Sequence, residues 1–479
     1  MSIKKKFKKD LSENTELSFD VSQLESNKHV SGSRVKIYVG RIVTACILVP
    51  LAIAIIAPLV YVLANMKDSV SDVQRRYTLD EVKNMTKNTF QKLNDINYPK
   101  EKGSNDFSDS EKIAYKNYTY DIYQNLEHEN NMMFSPLSLY GFFVDSYKAL
   151  SKDSLIQKYE SLLGLNESQL VSFYKKLFQN NYFKNKEGMV ELHNGVFIGN
   201  DYEINREYVD YLTKVYTECY SMNFQNAGDV DLMVKWVNES VGETNFITKN
   251  DVPITEMTTA YMFSTMNFDV EWSSKFVKSN NHTGYFYLNN NNPISTKFMK
   301  HNYVSSYYDY GSYISVKDSY NYQYSITYLV PKKHNDSIYD LVKGKNIFEE
   351  DAKCLVGPQT IELHVPKFDI TKMFDFEKLI KNLDMGEILH YPNASLNNMY
   401  GSSAPGPVFL EMLKQKNSIK LNEDGTTIKS VTIGGSGSAK GGYGKTLLVE
   451  LDQPFIYIVK DSSGFPIYVG HMDNPNLKS

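Results

Sequence analysis

Cysteine is scarce in this chain: only Cys46, Cys219 and Cys354 occur, with no CxxC pair and no histidine spacing suited to zinc. That argues against a structural metal site, and Cys219 and Cys354 are expected to be buried thiols rather than a bridge. An excess of basic charge is also missing. With 52 Lys and Arg against 56 Asp and Glu, the net charge is -4, and the footprint that nucleic-acid binding needs is absent. The hydrolase signatures G-x-S-x-G and H-E-x-x-H do not occur, and the nine histidines are scattered, so no catalytic residue is assigned and an enzyme is not expected. No fixed-period repeat appears, which excludes a solenoid or propeller.

What is present is enough apolar material for a large core, 42% hydrophobic residues over 479 positions. One stretch of it stands apart. Residues 42–64 carry no charge, and at about 1.5 Å per residue a helix of that length crosses a hydrocarbon core, with Pro50 and Pro58 tolerated as bends. The tail 1–41 before it holds nine basic residues, from Lys4 to Arg41, which predicts a cytoplasmic N-terminus and a domain displayed outside the cytosol. A cleaved signal peptide with a long charged leader is the alternative, and would make the domain secreted. The sequons at Asn84, Asn117, Asn166, Asn238, Asn281, Asn335 and Asn393 all follow the span and are glycosylation candidates on this topology.

Residues 65–109 are polar and are expected to form a stalk, with 110–479 as the folded domain. Ser108 and Glu111 have capping-box spacing before a helical stripe of Tyr115, Tyr118, Ile122 and Leu126, the expected first helix. Near the other end lies NEDGTTIKSVTIGGSGSAKGGYGKT, from Asn422 to Thr446. Its Thr426 to Ile433 portion is β-branched and could pair as a strand, whereas Gly434 to Gly444 holds six glycines and would be mobile in solvent. A segment of that kind can exist in two states.

Both ends of this tract resemble the serpin family: Asn422, Glu423, Asp424, Gly425 and Thr426 are similar to the hinge of its reactive-centre loop. Asp452-Gln453-Pro454-Phe455, Gly470 and Asn474-Pro475 are similar to the strands that follow it. Further blocks occur in the family's order between Ile113 and Pro475. They include Asn131 to Ser138 with Ser135 and Ser138, Asn194 to Phe197, Trp236 to Asn238, Phe268 with Trp272 and Phe276, Val365 to Phe368, and Leu383 to Gly386. The resemblance implies an α+β serpin fold, with a large, mostly antiparallel central sheet, about nine helices and a mobile reactive-centre loop. It also implies that Ser264 and Gln415 occupy the places of an Asn and a His that bond beneath the sheet where it opens; that pair could still bond.

As a member of such a family, the chain is expected to be a monomeric suicide-substrate inhibitor of a serine or cysteine protease, anchored in a membrane through residues 42–64 and using no cofactor. The cut loop would enter the central sheet as a strand. With Thr426 as the first inward residue, Ile428, Ser430 and Thr432 also face in, while Thr427 and Lys429 face out. Two family spacings place the cleaved bond differently, at Ala439 or Tyr443; Lys440-Gly441 lies between them and suits a trypsin-like enzyme. Two rival readings stand beside this one. Ala439 to Thr446, AKGGYGKT, matches a relaxed phosphate-binding loop, which needs a helix directly after it. Ile428, Lys429, Gly434 and Gly435 depart from the small-residue habit of inhibitory hinges, which fits a non-inhibitory serpin acting as a surface binding or chaperone-like protein.

Overall fold

The computed structural model describes residues 89–477, apart from 105, 128–130, 186–187, 290, 335, 390–394, 402–405 and 427–445, and all of these fall in the unit Lys83–Ser479. The expected tail, the membrane span and most of the stalk lie outside the described residues. Among the described residues no helix is long and apolar enough to cross a membrane.

The expected stalk ends sooner than residue 109. Strand β1 (Gln91–Lys92) pairs antiparallel with β5 (Thr217–Met222), and Phe90 packs on Phe197 and Tyr220 at ring distances of 6.0 and 4.9 Å. Farther on, Tyr98 stacks on Tyr182 and Phe107 meets Phe465 edge-on. These anchors sit singly in a polar run with neither a 2 nor a 3.6 period, so the average composition hides them.

Helix α1 (Asp109–Asn125) begins where the spacing predicts, with Ser108 and Glu111 capping each other's backbone N–H groups and Tyr115, Tyr118 and Ile122 buried. Helix α2 (Pro136–Tyr147) is buried on every side, because it lies in the core against strands of two sheets. Its start has Pro136 at the first turn and Ser135 as N-cap, accepting from the Ser138 N–H. Helices α3 (Asp153–Leu163), α4 (Glu167–Asn180), α5 (Arg206–Lys214), α6 (Ala227–Ser240), α7 (Ile338–Val342) and α8 (Glu377–Asn382) bring the α-helices to eight among the described residues, where about nine were expected.

Among the described residues, the first sheet has eight strands. Its order is β1, β5, β4 (Gly188–Gly199), β6 (Ala260–Glu271), β14 (Gly425–Thr426), β13 (Lys414–Leu421) and β12 (Phe368–Asp375), with β3 (Phe183–Asn185) also on β4. The second has nine among the described residues. It runs β15 (Thr446–Glu450), β11 (Leu355–Pro366), β8 (Pro293–Asp309), β9 (Tyr313–Ser319), β10 (Ser325–Pro331), β16 (Phe455–Lys460), β17 (Pro466–Met472) and β2 (Met133–Phe134), with β7 (His282–Tyr287) on β8. Pairing is antiparallel except β4 with β5 and β11 with β15, as the expected mostly antiparallel α+β architecture requires.

Alternation along β6 separates two apolar layers. Met266, Phe268 and Val270 enter the main core with α2, whereas Tyr261 and Phe263 face the other way and pack with Phe197, Met233 and Val237 beneath α6. Gly195 permits that second layer, since a Cβ there would lie 2.7 Å from the Trp236 ring. Strands β6 and β13 do not pair with each other. Both pair with the two-residue β14 at one end, and beyond it they are separated by clefts lined by Ser138, Ser264, Thr265, Gln415 and Lys416.

Candidate functional site

The tract singled out in the sequence joins the two sheets, from β14 in the first to β15 in the second. Residues 427–445 lie outside the described residues, and with them Thr427, Ile428, Ser430, Thr432, Ala439, Lys440, Gly441 and Tyr443. Its two anchors are described.

At the entry, the chain leaves β13 and turns tightly. Asn422 closes the turn, its side-chain oxygen accepting from the N–H groups of Asp424 and Gly425 at 2.9 and 3.3 Å. Gly425 is required there, because a Cβ would sit 2.5 Å from the Val270 carbonyl oxygen. Thr426 then pairs with Val270 on β6 and Leu421 on β13. It is buried, with its hydroxyl 2.6 Å from the Tyr320 hydroxyl. The inward parity expected for Thr426 is therefore what the fold adopts.

Trp272 belongs to this anchor. Its indole N–H donates to the Asn422 carbonyl at 2.8 Å, its backbone N–H to Asp424, and its ring stacks on Tyr320 with centroids 4.3 Å apart. Glu423 is buried and accepts two bonds from the Lys367 ammonium, at 2.8 and 2.9 Å, and one from the Asn281 amide. Burial opposes its ionisation, but Lys367 and Asn281 together hold its carboxyl below the usual range. Stability from this group is present above the ordinary carboxylate range and is lost as pH falls through the lowered value. Replacing Glu423 by lysine sets two ammonium groups against each other in a buried place. The expected loss is about 3–5 kcal/mol of unfolding free energy in urea titration, and a change under about 0.5 kcal/mol would show that the anchor carries no weight.

Lower down, Ser264 and Gln415, the pair that could still have bonded, do not bond each other. Gln415 turns toward α2, accepting from the Ser135 N–H at 2.8 Å, donating to the Ser135 carbonyl at 3.1 Å and receiving the Asn417 amide at 2.9 Å. The Ser264 hydroxyl is buried with no partner among the described residues. Ser135 also donates to the Ile467 carbonyl at 2.9 Å, so Gln415 fastens β13 to the helix start, and among the described residues its side chain makes no bond to β6. Asn194, bonded to the Tyr174 hydroxyl at 2.6 Å, and Asn417 are polar members of this region that the spacing alone did not single out; their signal was their inward parity on strands.

At the exit, β15 pairs in parallel with β11, and His364 is flanked by Glu450 on β15 and Glu362 on its own strand, at 3.3 and 3.0 Å. The Tyr287 N–H donates to the Asp452 carbonyl, and the Gln453 amide to that of Pro331. Because Thr446 opens a strand, the rival phosphate-binding loop lacks the helix it needs.

Among the sequons, Asn117 is exposed on α1 and Asn166 is an exposed N-cap. Asn84, Asn335 and Asn393 lie outside the described residues. Asn238 is corrected: it is buried, and its amide bonds both the N–H and the carbonyl of Ile247, leaving no place for a glycan. Asn281 is held against Glu423. Cys219 and Cys354 are both free thiols. Cys219 is buried, which pushes its thiol up to about 12, but Cys354 is only half-buried, against expectation. Among the described residues no group of three His, Cys, Asp or Glu is placed to hold a metal.

Comparison with known proteins fits this geometry. The family model Serpin (serine protease inhibitor) matches residues 113–475. Serine proteinase inhibitor 1 of Monkeypox virus is 24% identical over 275 residues, 55% of this chain and 74% of that protein. Human Serpin B13 is 21% identical over 385 residues, 74% of this chain and 97% of that protein. Among solved structures, the thermophilic serpin tengpin in its native state superposes with a TM-score of 0.68 at 18% identity, covering 80% of this chain and 100% of that one. Its latent state gives 0.63 at 17% identity, over 77% and 99%. With a family model that matches residues 113–475, more than half of its length, the chain belongs to the serpin family.

Proposed function

We propose that the chain is a suicide-substrate inhibitor of a serine protease, or of a cysteine protease, acting as a monomer displayed outside the cytosol on residues 42–64. The observation that carries this reading is the seating of Thr426 in β14 between β6 and β13, above a gap that the described residues leave unfilled.

Continuing the Thr426 register would set Ile428 opposite Phe268 and Ile419, Ser430 opposite Met266 and Asn417, and Thr432 opposite Ser264 and Gln415. An inserted Thr432 would thus meet the hydroxyl of Ser264, which has no partner among the described residues. Lys429 would fall on the other face, opposite Asn267 and Ser418. About 15 inserted residues at ~3.3 Å each span ~50 Å, enough to carry a covalently held protease along the domain and distort its site. The protein then acts as a substrate that does not let go, with no catalytic group of its own.

A second reading, a non-inhibitory surface binder, is favoured by Gly434 and Gly435, each of which would weaken the lower half of the inserted strand by roughly 0.5 to 1 kcal/mol. Incubation with trypsin separates the two. The expected result is an adduct that survives SDS, with a released peptide whose mass begins at Gly441. Cleavage that yields no adduct with trypsin, elastase or chymotrypsin supports the binder.

A further inference from the structure

The strand β1 segment, residues 89–94, is held to the sheet edge and to helix α6 by contacts that a simple tether does not need. The Thr89 N–H and hydroxyl donate to the Asp229 carboxylate at the start of α6, at 3.1 and 2.8 Å. Lys92 pairs with Glu218 on β5, and the other oxygen of that carboxylate accepts from the Trp236 indole on α6 at 2.7 Å. The Leu93 N–H donates to the Cys219 carbonyl at 2.8 Å, and Asn94 bonds the carbonyl of Thr217 and the N–H of Cys219. Phe90 enters the apolar layer between α6 and the sheet. The continuation is fixed as well: Lys102 donates to the Tyr322 carbonyl and Ser462, and Gly103 to the Gln179 carbonyl.

Helix α6 matters because of what lies beyond its end. Asn238 ties it to Ile247 by two bonds, so helix and following segment form one piece. That segment roofs the gap: Phe246, Ile247 and Val252 line the cleft between β6 and β13, and the Lys416 ammonium of β13 lies 5.6 Å from the Phe246 ring centroid. A strand entering the gap must pass beneath this roof and displace it.

We propose that residues 89–94 are a brake on strand insertion, holding the α6 roof down through Asp229, Glu218 and the Phe90 contact. The inference rests on the insertion reading above. Releasing the strap lowers the barrier for the intact loop to enter its own sheet, so inhibitory capacity decays faster, whereas the chain with its strand already inserted is indifferent.

The test uses the full chain with Thr89→Val and Phe90→Ala combined, and separately with Lys92→Met, which leaves Glu218 its Trp236 and Tyr220 bonds. Decay of trypsin-adduct capacity at fixed temperature is followed, together with the melting temperatures of intact and loop-nicked forms. The expected result is decay faster by roughly tenfold, the size that losing one or two hydrogen bonds from the resting state alone would produce, with the nicked form unmoved. Decay within twofold of the parent overturns the brake, as does an equal fall of both melting temperatures, which marks ordinary edge stabilisation. A parent chain that gains no stability on nicking overturns the insertion reading itself, and the brake with it.

Discussion

Substitution of Thr426 by arginine is expected to turn a trap into a plain substrate. Thr426 is buried, points to the main core beside Val270, and among the described residues has only the Tyr320 hydroxyl as a side-chain partner within bonding distance. A guanidinium placed there loses its hydration, and the cost of an uncompensated buried charge is about 3–5 kcal/mol. That cost falls on the inserting state, because an unseated hinge can keep the charge in water. Insertion should therefore slow by roughly 100-fold or more while the scissile bond remains as accessible as before. The measurement is the ratio of SDS-stable adduct to freely cleaved chain with trypsin. An unchanged ratio would mean that Thr426 need not be seated for trapping, and the hinge assignment would fail.

Cleavage within residues 427–445 should itself stabilise the protein. Beyond β14, β6 and β13 each face the gap with backbone groups that have no strand partner among the described residues. A strand filling that place adds hydrogen bonds to both neighbours, each worth about 0.5–1.5 kcal/mol net, so about ten of them give on the order of 10 kcal/mol. In a domain of this size that corresponds to a rise in melting temperature of roughly 12 °C. Calorimetry of the intact and the nicked chain measures it directly. Coincident melting would remove the free-energy source on which trapping depends, whatever the architecture, and the nicked Thr426→Arg chain should gain less than the nicked parent.

Local chemistry was legible where a pattern within a few residues carries its own partner. Ser108 with Glu111 and Ser135 with Ser138 are of this kind, and each stands in the fold as its spacing requires, whereas the alternation that starts at Thr426 runs into residues 427–445, outside the described residues. The order of motifs from Asn131 to Pro475 likewise pointed to the architecture, because an ordered series constrains topology more than any single block does. The partners of polar groups across the fold were not legible. Gln415 and Ser135 are 280 positions apart, and nothing near Gln415 shows that it binds the start of α2 and not Ser264. Lys367 read as part of a scaffold block and proves to be the counterion of Glu423, 56 positions away. Asn238 satisfied a glycosylation pattern, yet the turn of the chain after α6 buries it against Ile247.

The amino-acid sequence by itself determined the helix starts at Ser108 and Ser135 and, through its resemblance to a known family, the α+β class and the family to which the chain belongs. These follow from periodicity and capping, which act over a few residues, and from the order of motifs along the chain. Only the tertiary structure decided that β6 and β13 stand apart beyond β14, that residues 89–94 are fastened to α6, that Glu423 is held by Lys367 and Asn281, and that Gln415 bonds Ser135 and not Ser264. Such outcomes depend on which distant strands become neighbours, and burial makes each polar group take the partner that this arrangement places within reach.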